Sequence, residues 1–150
     1  MNNLINISEG TSLAFHGLAL IAARAPERMN VKSVAAELHA SEAHLAKVFQ
    51  KLNRAGFIAS VRGPAGGFEL NRPAEEITFL NVYEVLEAPV ELDSCPLGRK
   101  MCSFHSCIFE GRMQKISREI YNSLKEIRLS DFNGSNSQER REALRNPIER

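Results

Sequence analysis

The chain has 150 residues; 19 Lys and Arg nearly balance 18 Asp and Glu, for a formal net charge of +1. This length suits one domain, or a small domain with an appendage, and sets a multidomain enzyme aside. Hydrophobic residues at 43% and charged residues at 25% sit at the globular average, which excludes a wholly disordered or a membrane-embedded chain. The longest apolar run, Leu18 to Ala23, falls far short of the about 18 residues that a bilayer span needs. Met1 to Asn6 lacks the basic stretch and apolar core of a secretory signal, so a cytoplasmic protein is expected. With so small a net charge, any nucleic-acid surface has to come from local clustering.

In chain order, Ala14, Leu18, Ile21, Ala22 and Ala25 recur at helical spacing and predict a first helix that ends before Pro26. Asn30 reads as the N-cap of a second helix, Val31 to about Leu38, burying Val34, Ala35 and Leu38. After a turn at His39 and Ala40, Ser41 caps a third helix with Leu45, Val48, Phe49 and Leu52 on one stripe, closed by Gly56. Two short helices joined by a tight turn make a helix-turn-helix. The period then changes to that of a β-hairpin, a wing, with Phe57 to Val61 and Phe68 to Leu70 flanking the Gly- and Pro-rich 62–67. Thr78 caps a fourth helix through Val82, Val85 and Leu86 that Pro89 terminates.

Residues 91–107 show no periodicity and read as a loop, and they hold all three cysteines, Cys95, Cys102 and Cys107, spaced Cys-x6-Cys-x4-Cys. An odd number of thiols in a reducing compartment points to metal ligation or thiol chemistry rather than structural disulfides. Soft thiolates favour iron-sulfur clusters or zinc, and a loop lets them converge. Phe109, Met113, Ile116, Ile120, Leu124 and Ile127 trace a narrow apolar seam along a helix of about 20 residues, suited to a partner helix, with packing on its own domain as the other option. From Asp131 the composition is that of a polar tail. The domain plan is thus 1–90 for the winged helix-turn-helix, 91–107 for the cysteine loop, 108–130 for the dimerisation helix and 131–150 for the tail.

Between Ser41 and Arg72, the cations Lys47, Lys51, Arg54, Arg62 and Arg72 outnumber Glu42 and Glu69. With the apolar stripe of the third helix buried, Ser41, Glu42, Ala43, His44, Lys47 and Lys51 project outward, where the N-terminal part of a recognition helix meets base edges. Lys47, Lys51 and Arg54 suit phosphate contacts. Arg62 suits a phosphate or the minor groove, and Gly63 and Gly66 allow close backbone approach to DNA. A solvated cationic helix face is the plainer alternative. No nucleophile-base pair, Gly-rich phosphate loop or HExxH-like motif speaks for an enzyme.

The run Leu52-Asn53-Arg54-Ala55-Gly56-Phe57-Ile58-Ala59-Ser60-Val61-Arg62-Gly63-Pro64-Ala65-Gly66-Gly67-Phe68-Glu69-Leu70, with Ile77 and the helix at Val82 to Leu86, resembles the winged-helix signature of the Rrf-two (Rrf2) family of bacterial transcription regulators. The resemblance covers about residues 5–130, and the Arg-Gly-Pro-x-Gly-Gly-aromatic wing is its most specific part. It implies a mainly α, winged helix-turn-helix protein with a long C-terminal dimerisation helix, working as a homodimer on palindromic double-stranded DNA. The cysteine loop matches the cluster-binding branch of that family, whose thiolates hold a [2Fe–2S] or [4Fe–4S] centre, although members more often place about five residues in each gap. For the fourth ligand, Glu110 stands where that pattern carries a histidine, His105 lies in the loop, and His16 falls on helix one, from which some relatives supply a ligand. The expected function is a repressor sensing redox state, nitric oxide or iron-sulfur status. A thiol-switch or zinc regulator of the same fold is the alternative, and a small iron-sulfur electron carrier a more distant one.

Overall fold

The computed structural model describes residues 7–92, 95, 104 and 106–133. Helix α1, Glu9–Arg24, opens on Ser8, whose side chain accepts from the Thr11 amide, and Glu9 complements the positive end of the helix dipole. Leu13, Ala14, Phe15, Leu18, Ile21 and Ala22 are buried, whereas Ala25, expected on the same stripe, is an exposed C-cap. Helix α2, Val31–Leu38, starts at the expected Asn30 cap and ends where His39 turns left-handed at φ 51°. Ser41 then caps α3, Glu42–Arg54, through the His44 amide, with Leu45, Val48, Phe49 and Leu52 buried. A Cβ on Gly17 would lie 2.7 Å from Phe49 Cε1, so α1 and α3 cross at the distance only glycine permits.

Past Gly56, strands β1 (Ile58–Val61) and β2 (Gly67–Leu70) pair antiparallel, with Ile58 opposite Leu70 and Val61 opposite Gly67. The Phe68 and Phe49 rings meet T-shaped with centroids 5.0 Å apart, which fastens the hairpin to α3. Helices α2 and α3 with this hairpin form a winged helix-turn-helix, and the described chain is mainly helical.

A 3-10 turn at Ala74–Glu76 leads to α4, Phe79–Leu86, where Thr78 and Asn81 make a reciprocal capping box. Helix α4 stops at Leu86, ahead of Pro89, and it buries Leu80 and Val82 while Val85 faces solvent. Helix α5, Arg112–Glu126, has 15 residues rather than about 20, because Glu110 and Gly111 take left-handed conformations at its head and Ile127 is extended at its end. No α5 residue is buried. The C-terminal half of its seam packs against the core at Leu124, whereas Met113 and Ile116 are 36% and 43% exposed.

The helix expected over 108–130 stops at Glu126, and the described chain beyond it, including the first residues of the expected polar tail, returns to the core. Phe79 N donates to Ile127 O, Leu129 N donates to Ile77 O, and Arg128 Nη1 donates to Glu75 O at 2.6 Å. A 3-10 turn, Leu129–Phe132, then buries Leu129 at 1% exposure and stacks Phe132 on Phe79, which itself stacks on Phe15 of α1. Among the described residues no helix is long and apolar enough to cross a membrane.

One polar contact joins the two ends of this assembly. Thr11 is fully buried, accepts from Ser8 Oγ and donates its hydroxyl hydrogen to Glu87 at the end of α4. Hydrogen bonds from Ser8 and then Thr11 hold the Glu87 carboxyl below its ordinary value. A depressed acid contributes stability that is present above the unfolded value of 4.5 and is lost as pH falls through the folded value. Glu87→Gln is therefore expected to flatten the acid limb of the stability-against-pH curve below pH 4.5, read by urea titrations at several pH values. Leu129→Ala is expected to cost about 2–5 kcal/mol in the same assay, the range for a cavity in a packed core; a loss under about 1 kcal/mol would mean the segment is not docked.

Candidate nucleic-acid interface and cysteine segment

Burial of Leu45, Val48, Phe49 and Leu52 turns the rest of α3 outward. Ser41, Glu42, Ala43, Lys47, Gln50, Lys51 and Arg54 are exposed and His44 is half-buried. Lys47 and Lys51, one turn apart, border a shallow groove against Ser8, Glu9 and Gly10 of the α1 start and Leu86 of α4. Across it His44 Nδ1 lies 3.6 Å from Glu9 Oε2. Gln50 shares the outer face but carries no charge, so a reading based on charge passes over it; its amide is the group that can pair with adenine in a major groove.

The five cations counted between Ser41 and Arg72 do not all point the same way. Arg72 folds back onto the end of α3, where Nε donates to Gly56 O at 2.9 Å and Nη2 to Ala55 O at 2.6 Å, with the guanidinium 4.6 Å above the Phe57 ring. It caps a helix, which leaves Lys47, Lys51, Arg54 and Arg62 as the outward cations of that window. Arg62 is exposed at the wing tip and makes no ion pair among the described residues.

The tip turn closes through Gly66 N donating to Gly63 O at 2.9 Å. A Cβ on Gly66 would lie 2.4 Å from Val61 O, so glycine is required there by the turn itself, with Gly66 half-buried beneath the tip. Gly63, at φ 110°, is open to solvent, and a Cβ there would meet nothing within 4 Å.

Of the three cysteines, Cys95 is half-buried and Cys107 exposed, both as free thiols, and Cys102 lies outside the described residues with His105. Among the described residues no three His, Cys, Asp or Glu side chains gather as a metal site. Cys107 O accepts from Glu110 N at 2.9 Å in the turn that leads into α5, so this thiol sits at the head of the helix. Glu110 is left-handed at φ 49°, and its carboxylate pairs with Arg112 Nη2 at 3.0 Å. His16, exposed on α1, directs Nδ1 at Ser12 O at 2.7 Å, leaving Nε2 outward.

A family model described as Rrf2, iron-dependent transcriptional regulator, matches residues 7–134. The chain belongs to the Rrf2 family. It is 32% identical over 127 residues to the transcriptional regulator IscR of Cereibacter sphaeroides, covering 80% of this chain and 79% of that one. CymR, the global cysteine regulator of B. subtilis, superposes with a TM-score of 0.73 at 22% identity over 85% of this chain and 95% of that one. IscR of T. potens superposes with a TM-score of 0.69 at 23% identity over 85% of each. These two likenesses establish the winged-helix fold. As a member of the Rrf2 family the chain is a DNA-binding transcription regulator, not an enzyme.

Within this Rrf2 chain the arginine at the wing tip and the one just past β2 separate cleanly in the laboratory. Arg62→Ala is expected to weaken DNA binding and lower the slope of log K against log salt by about one, the signature of a lost phosphate contact. Arg72→Ala is expected to lower the melting temperature while leaving that slope unchanged, because its partners are the Ala55 and Gly56 carbonyls. Equal slopes for wild type and Arg62→Ala would remove Arg62 from the interface.

Proposed function

We propose that this Rrf2 regulator is a cytoplasmic, homodimeric repressor of a palindromic operator that senses redox state, nitric oxide or iron-sulfur status through a [2Fe–2S] or [4Fe–4S] cluster on Cys95, Cys102 and Cys107. The observation that carries the reading is a free, exposed Cys107 thiol immediately ahead of α5, whose Met113 and Ile116 stand bare. The donor chemistry fits: thiolates are the ligands iron-sulfur centres take, and neither Cys95 nor Cys107 is tied up in a disulfide. Such a centre, when bound, supplies electron-transfer and ligand-exchange chemistry.

The remaining work falls to the chain's own residues. Cys95, Cys102 and Cys107 hold the group, with His16, His105 or Glu110 as a fourth ligand. Glu110 has to release Arg112 to serve, whereas His16 offers its outward Nε2 directly. Lys47, Lys51, Arg54 and Arg62 meet phosphates, with Ser41, Glu42 and His44 at the groove end of α3 and Gly63 and Gly66 giving the wing backbone its approach. The bare half of the α5 seam takes a second copy, which sets two recognition helices about one turn of DNA apart, the spacing a palindrome needs. A change at the head of α5 alters operator affinity if the two states differ by about 1–3 kcal/mol, the usual range of such coupling.

The exposed free thiol also favours a second reading, in which the same cysteines act as a thiol switch or zinc site. Anaerobic purification separates the two. Visible absorption with stoichiometric iron and sulfide is expected, and Cys102→Ser is expected to lose both while keeping its far-UV circular dichroism. Colourless protein with a reversible disulfide would establish the switch instead, and a Cys102→Ser variant with full iron would remove Cys102 from the ligand set.

A further inference from the structure

We infer that Arg28, in the linker between α1 and α2, is a positioning residue that sets the pitch of the wing on DNA through Glu69. This rests on the wing meeting DNA, as proposed above. Arg28 Nε lies 2.6 Å from Glu69 Oε2 on β2, and Nη1 donates to Ala65 O in the tip at 3.4 Å. The guanidinium therefore spans β2 from the tip to the strand.

Backbone contacts beneath it make the same junction. Phe68 N donates to Met29 O at 2.8 Å and Met29 N to Phe68 O at 3.3 Å, so the linker pairs with the outer edge of β2. Gly67 permits the approach: a Cβ there would lie 2.9 Å from Met29 O and 3.3 Å from the Arg28 Cβ. An isolated two-stranded hairpin is marginal in water. Here its free edge is joined to the linker that follows α1, and Arg28 is the side chain that locks the joint.

Charge makes the role testable, because two explanations predict opposite signs. Glu69 is a carboxylate on the wing. If Arg28 and Glu69 mattered only as charges, removing Glu69 would take a repulsive group from the phosphates and tighten binding. If the pair positions the wing, removing either partner loosens it, by about three- to fivefold for a partly exposed pair.

The test uses the full chain and a duplex that the wild-type protein itself recovers from a random-sequence pool. Arg28→Gln and Glu69→Gln are each expected to weaken binding about three- to fivefold with the salt slope unchanged, and the reversed pair R28E/E69R to recover at least half of the loss. Amide exchange supplies a readout without DNA: the Phe68 amide is expected to exchange faster in Arg28→Gln while the α1 amides stay as they are. Tighter binding by Glu69→Gln overturns the inference. So does a salt slope reduced by about one in Arg28→Gln with no recovery in the reversed pair, which would make Arg28 a direct phosphate contact. Wild-type affinity and Phe68 exchange in both single variants overturns it as well. Wild-type protein that recovers no duplex defeats the DNA reading of the wing, whereas intact wild-type binding with indifferent variants defeats the brace alone.

Discussion

The ring of Phe49 is the contact on which the three functional parts depend. It points inward from the recognition helix, meets Gly17 of α1 at a distance that tolerates no Cβ, and makes a T-shaped contact with Phe68 of the wing. Protein interiors are packed densely enough that an aromatic ring held on two sides fixes the elements that hold it. The outward face of α3 is polar because its inward face is committed to this junction. The spacing between that face and the wing tip is set in the same place.

A second consequence concerns charge. The chain is almost neutral as a whole, and the fold sorts its cations by task. Arg72 is spent on carbonyls at the end of α3, Arg28 on Glu69, Arg24 on Glu37 and Arg128 on Glu75 O. Lys47, Lys51, Arg54 and Arg62 are left facing outward. The positive field at α3 and the wing comes from the local excess of these four outward cations in a chain that is otherwise nearly balanced.

Much of this is legible in the sequence where the determinants are local. Asn30, Ser41 and Thr78 cap their helices as their residue types dictate, and the stripe from Leu45 to Leu52 is buried at the period expected of it. The Gly-rich tip between β-prone runs folds as a hairpin. What the sequence hides depends on partners far along the chain. Arg28 and Glu69 are 41 residues apart, and nothing in either neighbourhood announces the other. Leu129 stands in a polar context, and its burial comes from Ile77 and α1, not from its own period. Arg72 counts as a surface cation by charge alone, which does not reveal that the carbonyls of Ala55 and Gly56, just past the end of α3, lie within its reach. The seam of α5 is visible as a seam, but only three dimensions divide it into a half that packs at Leu124 and a half that stands bare at Met113 and Ile116.

That division makes α5 mechanically one-sided. Its far end is moored: Ile127 to Phe79, Arg128 to Glu75, Leu129 beneath α1, and Phe132 in a stack of three rings. Its near end carries Cys107 and the successive left-handed residues Glu110 and Gly111, with no buried residue among those described from Ser106 to Met113. A rod of 15 residues is about 22 Å long. Swung by about 5° around the moored end, it carries its tip through about 2 Å. Anything that grips the cysteine end thus works with the full length of a crank, and the winged body is the fulcrum.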